Sequence, residues 1–261
     1  MLRAIHDPPG RLYVRGCGDA ALLAAPAVAI VGARACSAYG AQVARMLGRE
    51  LAAVGLVVVS GLARGIDAEA HRGALESTGQ TVAVLGCGVD RDYPAAHASL
   101  AQRIGERGLI VSECEPGVEP APWRFPARNR IIAGLCAATV VVEARERSGA
   151  LITADFALEE GREVFAVPGE ITSVLSAGTN ALLRLGATPL TSAADVLDAL
   201  GVEAAPTKAR PSHPLLELLP ATVDELVRAS GLAANEVAAT LAELELAGLA
   251  AEGEGVFRRC G

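Results

Sequence analysis

Residues 28–60, VAIVGARACSAYGAQVARMLGRELAAVGLVVVS, decide the fold because they set two buried-strand patterns around one helical segment. Val28–Val31 and Val57–Val59 are continuous apolar runs that end at small residues, a pattern typical of strands covered on both faces. A helical stretch to about Val54 separates the two runs. Strand, helix and strand in this order predict two parallel strands joined by a crossover helix.

Four further apolar runs repeat this pattern along the chain. They are Thr81–Leu85, Leu109–Ser112, Thr139–Val142 and Val164–Val167. Six such strands separated by helical segments predict an α/β fold, a Rossmann-like doubly wound and mostly parallel sheet. We assign it to residues 21–200, after an extended lead-in over residues 1–20.

Small and charged residues follow these strands, at the edge where open α/β sheets bind ligands. They are Gly32, Arg34, Ser37, Gly61, Arg64, Gly65, Arg147, Ser148, Gly149 and Gly169. Glycines at strand ends often serve only tight turns. Because Arg34 and Arg64 adjoin two of these turns, phosphate binding is the favoured interpretation.

The segment Trp123–Leu135 places three arginines beside aromatic side chains. Pro126 indicates a helix start or a rigid turn. We expect Arg128 and Asn129 at the mouth of this helix, where free N–H groups favour anions, and Arg130 on the face away from the core. The pattern indicates a surface that follows phosphates and stacks bases. An arginine-rich solvated turn remains the alternative.

Composition limits the classes of partner. The net charge of −7 is uneven: residues 212–261 carry −5 and residues 1–211 carry −2. Near-neutral charge permits a local basic groove but disfavours tight non-specific duplex binding. No apolar run reaches the roughly 18 to 20 residues of a membrane span, and the N-terminus lacks a signal-peptide pattern. We therefore expect a cytoplasmic protein with no membrane partner.

Residues 201–212 lack periodicity and are assigned as a linker, and residues 213–261 as a winged-helix domain of three helices and a hairpin. The third helix, predicted over Asn235–Ala247, carries three glutamates and no Lys or Arg. If this helix entered a major groove, its carboxylates would face the DNA phosphates, and the negative charges would repel each other. Protein contact or regulation is therefore favoured over duplex recognition.

Enzyme and cofactor motifs are missing from the sequence. There is no P-loop, and the glycines from Gly86 do not continue as a dinucleotide fingerprint. Asp67 is predicted to cap the helix over residues 68–76 and to pair structurally with His71, while Glu143 is expected to pair with a nearby arginine. The six cysteines are too far apart for a metal site. We predict no catalytic residue, cofactor or metal.

Several motifs together resemble those of the DNA-processing protein A family, also called DprA or Smf. They are Gly32–Gly40, Ser60–Asp67 with Ala70 and His71, Val84–Asp90 with Tyr93 and Pro94, Ser112–Glu113, Phe125–Leu135, Ser148–Ala154 and Val164–Gly169. They stand in family order, and the tail resembles that family's winged-helix domain. Many members start with a SAM-like domain, which this chain is expected to lack.

The resemblance implies a non-enzymatic protein that binds single-stranded DNA. Such proteins dimerise through the Rossmann-like domain, protect incoming strands and load the recombinase RecA during natural transformation. The strand-binding candidates at matching positions are Arg34, Ser37, Gly61, Arg64, Phe125, Arg128, Asn129 and Arg130. The arginines among them are those already found near the predicted sheet edge.

Two other functions remain open. Nucleoside-monophosphate phosphoribohydrolases share a related fold and a P-G-G-x-G-T-x-x-E motif, of which Pro168-Gly169 and Gly178-Thr179 are echoes. Leu182 stands where that motif needs its glutamate, so the acid/base group is missing. A winged-helix regulator with a ligand-sensing domain is disfavoured by the acidic third helix.

Overall fold

The computed structural model describes residues 1–202, 213–246, 249–253 and 255–259. They belong to two units, Met1–Ala204 and Ala205–Gly261. Most of the predicted linker, residues 203–212, lies outside the described residues.

An eight-stranded sheet forms the centre of the first unit. Its strands are β1 (Tyr13–Arg15), β2 (Ala27–Val31), β3 (Val57–Ser60), β4 (Thr81–Val84), β5 (Leu109–Ser112), β6 (Ala138–Val141), β7 (Glu163–Ala166) and β8 (Thr188–Pro189). Its helices are α1 (Ala38–Ala53), α2 (Ile66–Glu76), α3 (Ala98–Arg107), α4 (Arg124–Leu135), α5 (Gly149–Glu159), α6 (Ala177–Arg184) and α7 (Ala193–Leu200). The doubly wound α/β prediction is confirmed.

The strand order is β1-β5-β4-β3-β2-β6-β7-β8, and every neighbouring pair is parallel except β1 with β5. The edge strands β1 and β8 were not predicted, since their two or three residues carry no clear pattern. From β2 the chain first winds towards β5, and after β5 it returns to β6 on the other side of β2. The gap between β2 and β6 is therefore the topological switch point, where open α/β sheets bind ligands.

Apolar side chains alternate between the two faces of the sheet. Val82 and Val84 of β4 pack on one face with Ile131 and Ile132 of α4, whereas Ala83 faces α2 and α3 on the other. Helices α4, α5 and α6 cover the first face, and α1, α2, α3 and α7 cover the second. Each fully buried Leu, Ile or Val contributes about 1.5–3 kcal/mol, so both layers are needed.

The second unit is a winged helix. It contains α8 (Pro214–Glu217), α9 (Val223–Ser230), α10 (Ala234–Leu246) and the hairpin of β9 (Ala250–Gly253) with β10 (Val256–Arg259). Thr222 and Glu225 form the capping box of α9, and Gly231 ends that helix in the left-handed conformation with φ 71°. Its core packs Leu215, Leu226 and Leu241.

The start of α2 and the position of Arg128 within α4 differ from their predictions. Gly65, rather than Asp67, caps α2, because the helix already begins at Ile66. Helix α4 begins at Arg124, so Pro126 stands in its first turn as predicted. Arg128 therefore falls in the second turn, beyond the free N–H groups of the helix mouth.

Candidate functional site

A buried carboxylate organises the loop after β3. Asp67 accepts hydrogen bonds from the backbone N–H groups of Gly61 (3.1 Å) and Ala63 (3.3 Å). These bonds help to hold Leu62 at φ 58°, a left-handed conformation that a side-chain-bearing residue adopts only when its surroundings require it. The loop that carries Arg64 is therefore tied down at its start.

The loops after β2 and β3 pass in close contact. Gly65 has φ 73°, and a Cβ atom on it would lie 2.2 Å from the carbonyl oxygen of Ala33. Only glycine allows both this conformation and this approach. As a result, Arg34 of one loop and Arg64 of the other line the same cavity.

Arg128 and Asn129 lie inside the protein, with 5% and 8% of their surface exposed, and not at the helix mouth as predicted. The Arg128 guanidinium donates to the carbonyl oxygen of Gly61 (3.0 Å), to that of Val84, and to the side-chain oxygen of Asn129 (3.1 Å). Asn129 donates from its amide nitrogen to the carbonyl oxygen of Gly149 (3.0 Å). Together they fasten α4 to the ends of β3 and β4 and to the start of α5.

Burial shifts the pKa values of Arg128 and of its neighbour Asp67. It lowers the pKa of Arg128 to about 10, with the charge of Asp67 acting against that shift. Burial also raises the pKa of the Asp67 carboxyl, and here the positive charge of Arg128 and the two backbone N–H bonds oppose it. Each charge therefore opposes the shift that burial causes in the pKa of the other residue.

Ser37 caps α1 and is held by Glu143, which corrects the expectation that Glu143 pairs with an arginine. The Glu143 carboxylate accepts from the backbone N–H of Ser37 (2.9 Å) and from its hydroxyl (2.5 Å). The Ser37 hydroxyl in turn accepts from the backbone N–H of Gly40 (3.0 Å). Because its hydroxyl proton is already used, Ser37 acts here as an anchor for the loop that carries Arg34.

His71 does not pair with Asp67 as predicted, but with Thr81. The Thr81 hydroxyl donates to the carbonyl oxygen of Val58 (2.6 Å), so it must accept from Nδ1 of His71 (2.7 Å). Nε2 of His71 has no hydrogen-bond partner among the described residues. Burial lowers the pKa of His71 to about 3, which makes it a neutral structural residue.

Two adjoining cavities, of about 180 and about 630 Å³, form one groove at the carboxyl ends of β2, β3 and β4. Arg34, Ala63, Phe125 and Arg128 line both cavities, and Arg64 lines the larger one. We call this feature the arginine groove. Arg34 and Arg64 are exposed, and neither forms an ion pair within the described ranges.

An aromatic stack forms one wall of the arginine groove. The rings of Tyr93 and Phe125 are stacked, with centroids 5.3 Å apart and planes inclined by 20°. The Arg34 guanidinium lies over the Phe125 ring, 5.4 Å from its centroid. Tyr93 is not among the site residues expected from the sequence, although the Tyr93-Pro94 motif is one of those that carry the family resemblance. Nothing in the sequence says that Tyr93 reaches a helix more than 30 residues later.

Arg130 lies outside the arginine groove and lines neither cavity. Its guanidinium forms two hydrogen bonds to the carboxylate of Glu113 (2.9 and 2.7 Å) and one to Asp7 (2.7 Å). These partners raise the pKa of Arg130, with Glu113 as the main cause. The side chain faces away from the core as predicted, but its charge is balanced by carboxylates.

Comparison with known proteins identifies the family. The model of the family described as DNA recombination-mediator protein A matches residues 1–201, and that of the DprA winged helix domain matches residues 202–255. The chain belongs to the DNA recombination-mediator protein A family. The resemblance drawn from the motifs is thereby confirmed.

Individual relatives of the family agree with this assignment. DNA processing protein DprA of Streptococcus pneumoniae is 50% identical over 196 residues, which cover 75% of this chain and 68% of the relative. Protein Smf of Escherichia coli is 40% identical over 278 residues, covering 99% and 74%. A structure on the single-stranded DNA binding mode of DNA processing protein A from Helicobacter pylori superposes with a TM-score of 0.71 at 33% identity, covering 78% and 92%.

The described residues contain neither a metal-binding cluster nor a membrane-spanning helix. Across those ranges, no three or more His, Cys, Asp or Glu side chains are grouped so as to hold a metal ion. None of the helices found there combines the length and the apolar character needed to cross a bilayer.

Proposed function

We propose that this chain binds single-stranded DNA in the arginine groove and leaves it chemically unchanged. The observation that carries the proposal is the stack of Tyr93, Phe125 and Arg34 along one wall of the groove. Aromatic rings stack on unpaired bases of any sequence, and neighbouring guanidinium groups bind the phosphates between them.

Arg34 and Arg64 are the phosphate contacts in this proposal. Both are exposed and both line the larger cavity, so a backbone in the groove would pass within reach of two positive charges. Ser37, Gly61 and Arg128 support them from beneath, because their polar groups hold the loops that carry the two arginines, and Asn129 in turn accepts a hydrogen bond from Arg128. The DNA-binding role expected for these four is thus indirect.

Arg130 has a different part in the proposal. A guanidinium that already satisfies Glu113 and Asp7 would have to give up a paired carboxylate to bind a phosphate. We assign it to bracing the lead-in and the end of β5 against α4. Only a strand that extends beyond the groove would come near it.

Binding without chemistry is favoured over phosphoribohydrolase activity. Leu182 replaces the acid/base glutamate of the hydrolase motif, and it is 94% buried in the core against β7 and α5. No carboxylate can reach a sugar from that position. Incubation with nucleoside monophosphates should release no free base, and turnover would revive the hydrolase interpretation.

The biological setting we propose is natural transformation in the cytoplasm. There the chain would protect incoming strands and load RecA on them, as family membership and the motifs suggest. RecA assembly on a labelled strand, measured with and without the chain, tests this role. Faster assembly is expected, and an unchanged rate would refute the loading step while leaving strand binding intact.

We also propose a homodimer formed through the α/β unit. Between β7 and β8 the large apolar side chains of Ile171, Val174 and Leu185 are 96%, 65% and 85% exposed. Exposed apolar side chains that lie together mark interaction surfaces, so these three residues are the dimer surface that we propose. Light scattering should give twice the monomer mass, and Leu185→Glu should lower it.

The binding test compares single-stranded DNA with duplex DNA. A labelled single-stranded oligonucleotide should bind more tightly than a duplex of equal length and salt, and independently of sequence. Equal or stronger duplex binding would contradict the proposed stacking on unpaired bases.

A further inference from the structure

Trp123 is largely exposed to solvent, although proteins usually bury most of so large an aromatic side chain. It is the only tryptophan of the chain, and 66% of its surface is exposed. The guanidinium carbon of Arg124 lies 4.7 Å from the centroid of its ring. A cation over the face of an indole is a favourable contact.

Arg124 is itself held in place. Its Nη1 group donates to the carbonyl oxygen of Glu119 (2.5 Å). The guanidinium is therefore anchored by the backbone on one side and lies against one face of the Trp123 indole. The exposure of the indole shows that much of the ring remains accessible. The result is a flat, supported aromatic surface with a positive charge behind it.

The position of this surface is set by the same helix that builds the groove. Trp123 directly precedes the first residue of α4, and Phe125 of the arginine groove is its second residue. The start of α4 is pressed against the end of β4: a Cβ atom on Gly86 would lie 3.1 Å from the Phe125 ring and 3.2 Å from the carbonyl oxygen of Arg124. Trp123 thus stands two positions before the wall residue Phe125 in the chain, and it lines neither cavity itself.

We propose that a nucleobase of the bound single strand stacks on the exposed face of Trp123 as the strand leaves the arginine groove. This subsite rests on the proposed function. The indole offers a large aromatic face to any unpaired base, and Arg124 beside it offers N–H groups to the adjoining phosphate. In a duplex the base faces are covered by their neighbours, so the subsite is selective for single strands.

The single tryptophan provides a direct readout. Intrinsic fluorescence of the full chain is measured during titration with oligo-dT and with an abasic oligonucleotide of the same length. Quenching by oligo-dT but not by the abasic strand is expected, because only the former has bases to stack. Equal fluorescence changes with both, or none with either, while oligo-dT is bound, would overturn the subsite.

Affinity is measured separately, by anisotropy of a labelled oligo-dT. Trp123→Ala should weaken binding by about 5- to 150-fold, the range for one lost base stack, and Trp123→Phe should recover most of it. Leu158→Ala is the matched control, since Leu158 is 55% exposed near the far end of α5. Wild-type affinity in Trp123→Ala would refute the subsite, whereas failure of the wild type to bind would refute the proposed function itself.

Discussion

Arg128 donates a hydrogen bond to the carbonyl oxygen of Gly61, 67 positions earlier in the chain, at 3.0 Å. The contact is so close that a Cβ atom on Gly61 would lie 2.2 Å from Nη2 of Arg128. A helix on one face of the sheet is thereby fixed to the loop that follows β3. The loop's exposed Arg64 depends on this fixation for its place in the groove.

Gly61→Ala should destabilise the fold. The new methyl group would displace the Arg128 guanidinium and leave two buried carbonyl oxygens without their donor, at a cost of about 2–4 kcal/mol. Urea unfolding measures the loss. Gly149→Ala is the control, because a Cβ atom there meets nothing within 4 Å. Equal stability of the two variants would show that the Arg128 contact is dispensable.

Phe125→Leu should weaken single-strand binding by about 5- to 150-fold, since the Tyr93 ring loses the aromatic partner that holds it in place for stacking on a base. The dependence of affinity on salt should stay unchanged, because no phosphate contact is removed. Anisotropy at several salt concentrations separates the two effects. A flatter salt dependence would mean that Phe125 acts only by positioning Arg34.

Arg130→Met should lower stability rather than DNA affinity. The side chain of Arg130 is 13% exposed and that of Glu113 is 31% exposed, so the lost charge-assisted bonds cost about 2 kcal/mol. Urea unfolding and anisotropy are measured on the same preparation, with the exposed Arg103→Met as control. A loss of affinity without loss of stability would place Arg130 among the DNA contacts.

His71 should make the free energy of unfolding depend on pH below about 6.5. Its pKa is about 3 in the folded chain and 6.5 ordinarily, so below pH 6.5 the unfolded chain takes up a proton that the folded chain does not. The free energy of unfolding contributed by this group therefore falls by about 1.4 kcal/mol per pH unit from pH 6.5 towards pH 3. In His71→Gln this slope should be absent; parallel stability curves for variant and wild type would contradict the assignment.

Much of the sheet could be predicted because its signals are local. Six apolar runs correspond to β2–β7, and Arg34, Gly61 and Arg64, which follow two of them, line one cavity. The short strands β1 and β8 have no comparable pattern, since they are held by pairing with β5 and β7 rather than by their own composition.

The errors concern contacts between distant segments. An arginine at the start of a helix predicts an anion site. Arg128, however, lies in the second turn of α4, and its guanidinium donates to the backbone carbonyl oxygens of Gly61 and Val84. Asp67 and His71 have the spacing of a helical pair, but Asp67 is hydrogen-bonded to the loop after β3 and His71 to Thr81 of β4. Such choices depend on tertiary packing, which spacing along a helix does not reveal.

The central claim, a phosphate-binding groove built on Arg34 and Arg64, is tested most directly by the salt dependence of single-strand binding in the double variant Arg34→Ala, Arg64→Ala. Arg3→Ala, Arg103→Ala removes the same charge from exposed positions in the lead-in and on α3 and is the control. The groove variant should bind all sequences more weakly, with a log–log slope flatter by about 1.4, or 0.7 for each lost phosphate contact. Wild-type affinity and slope in the groove variant would contradict the account.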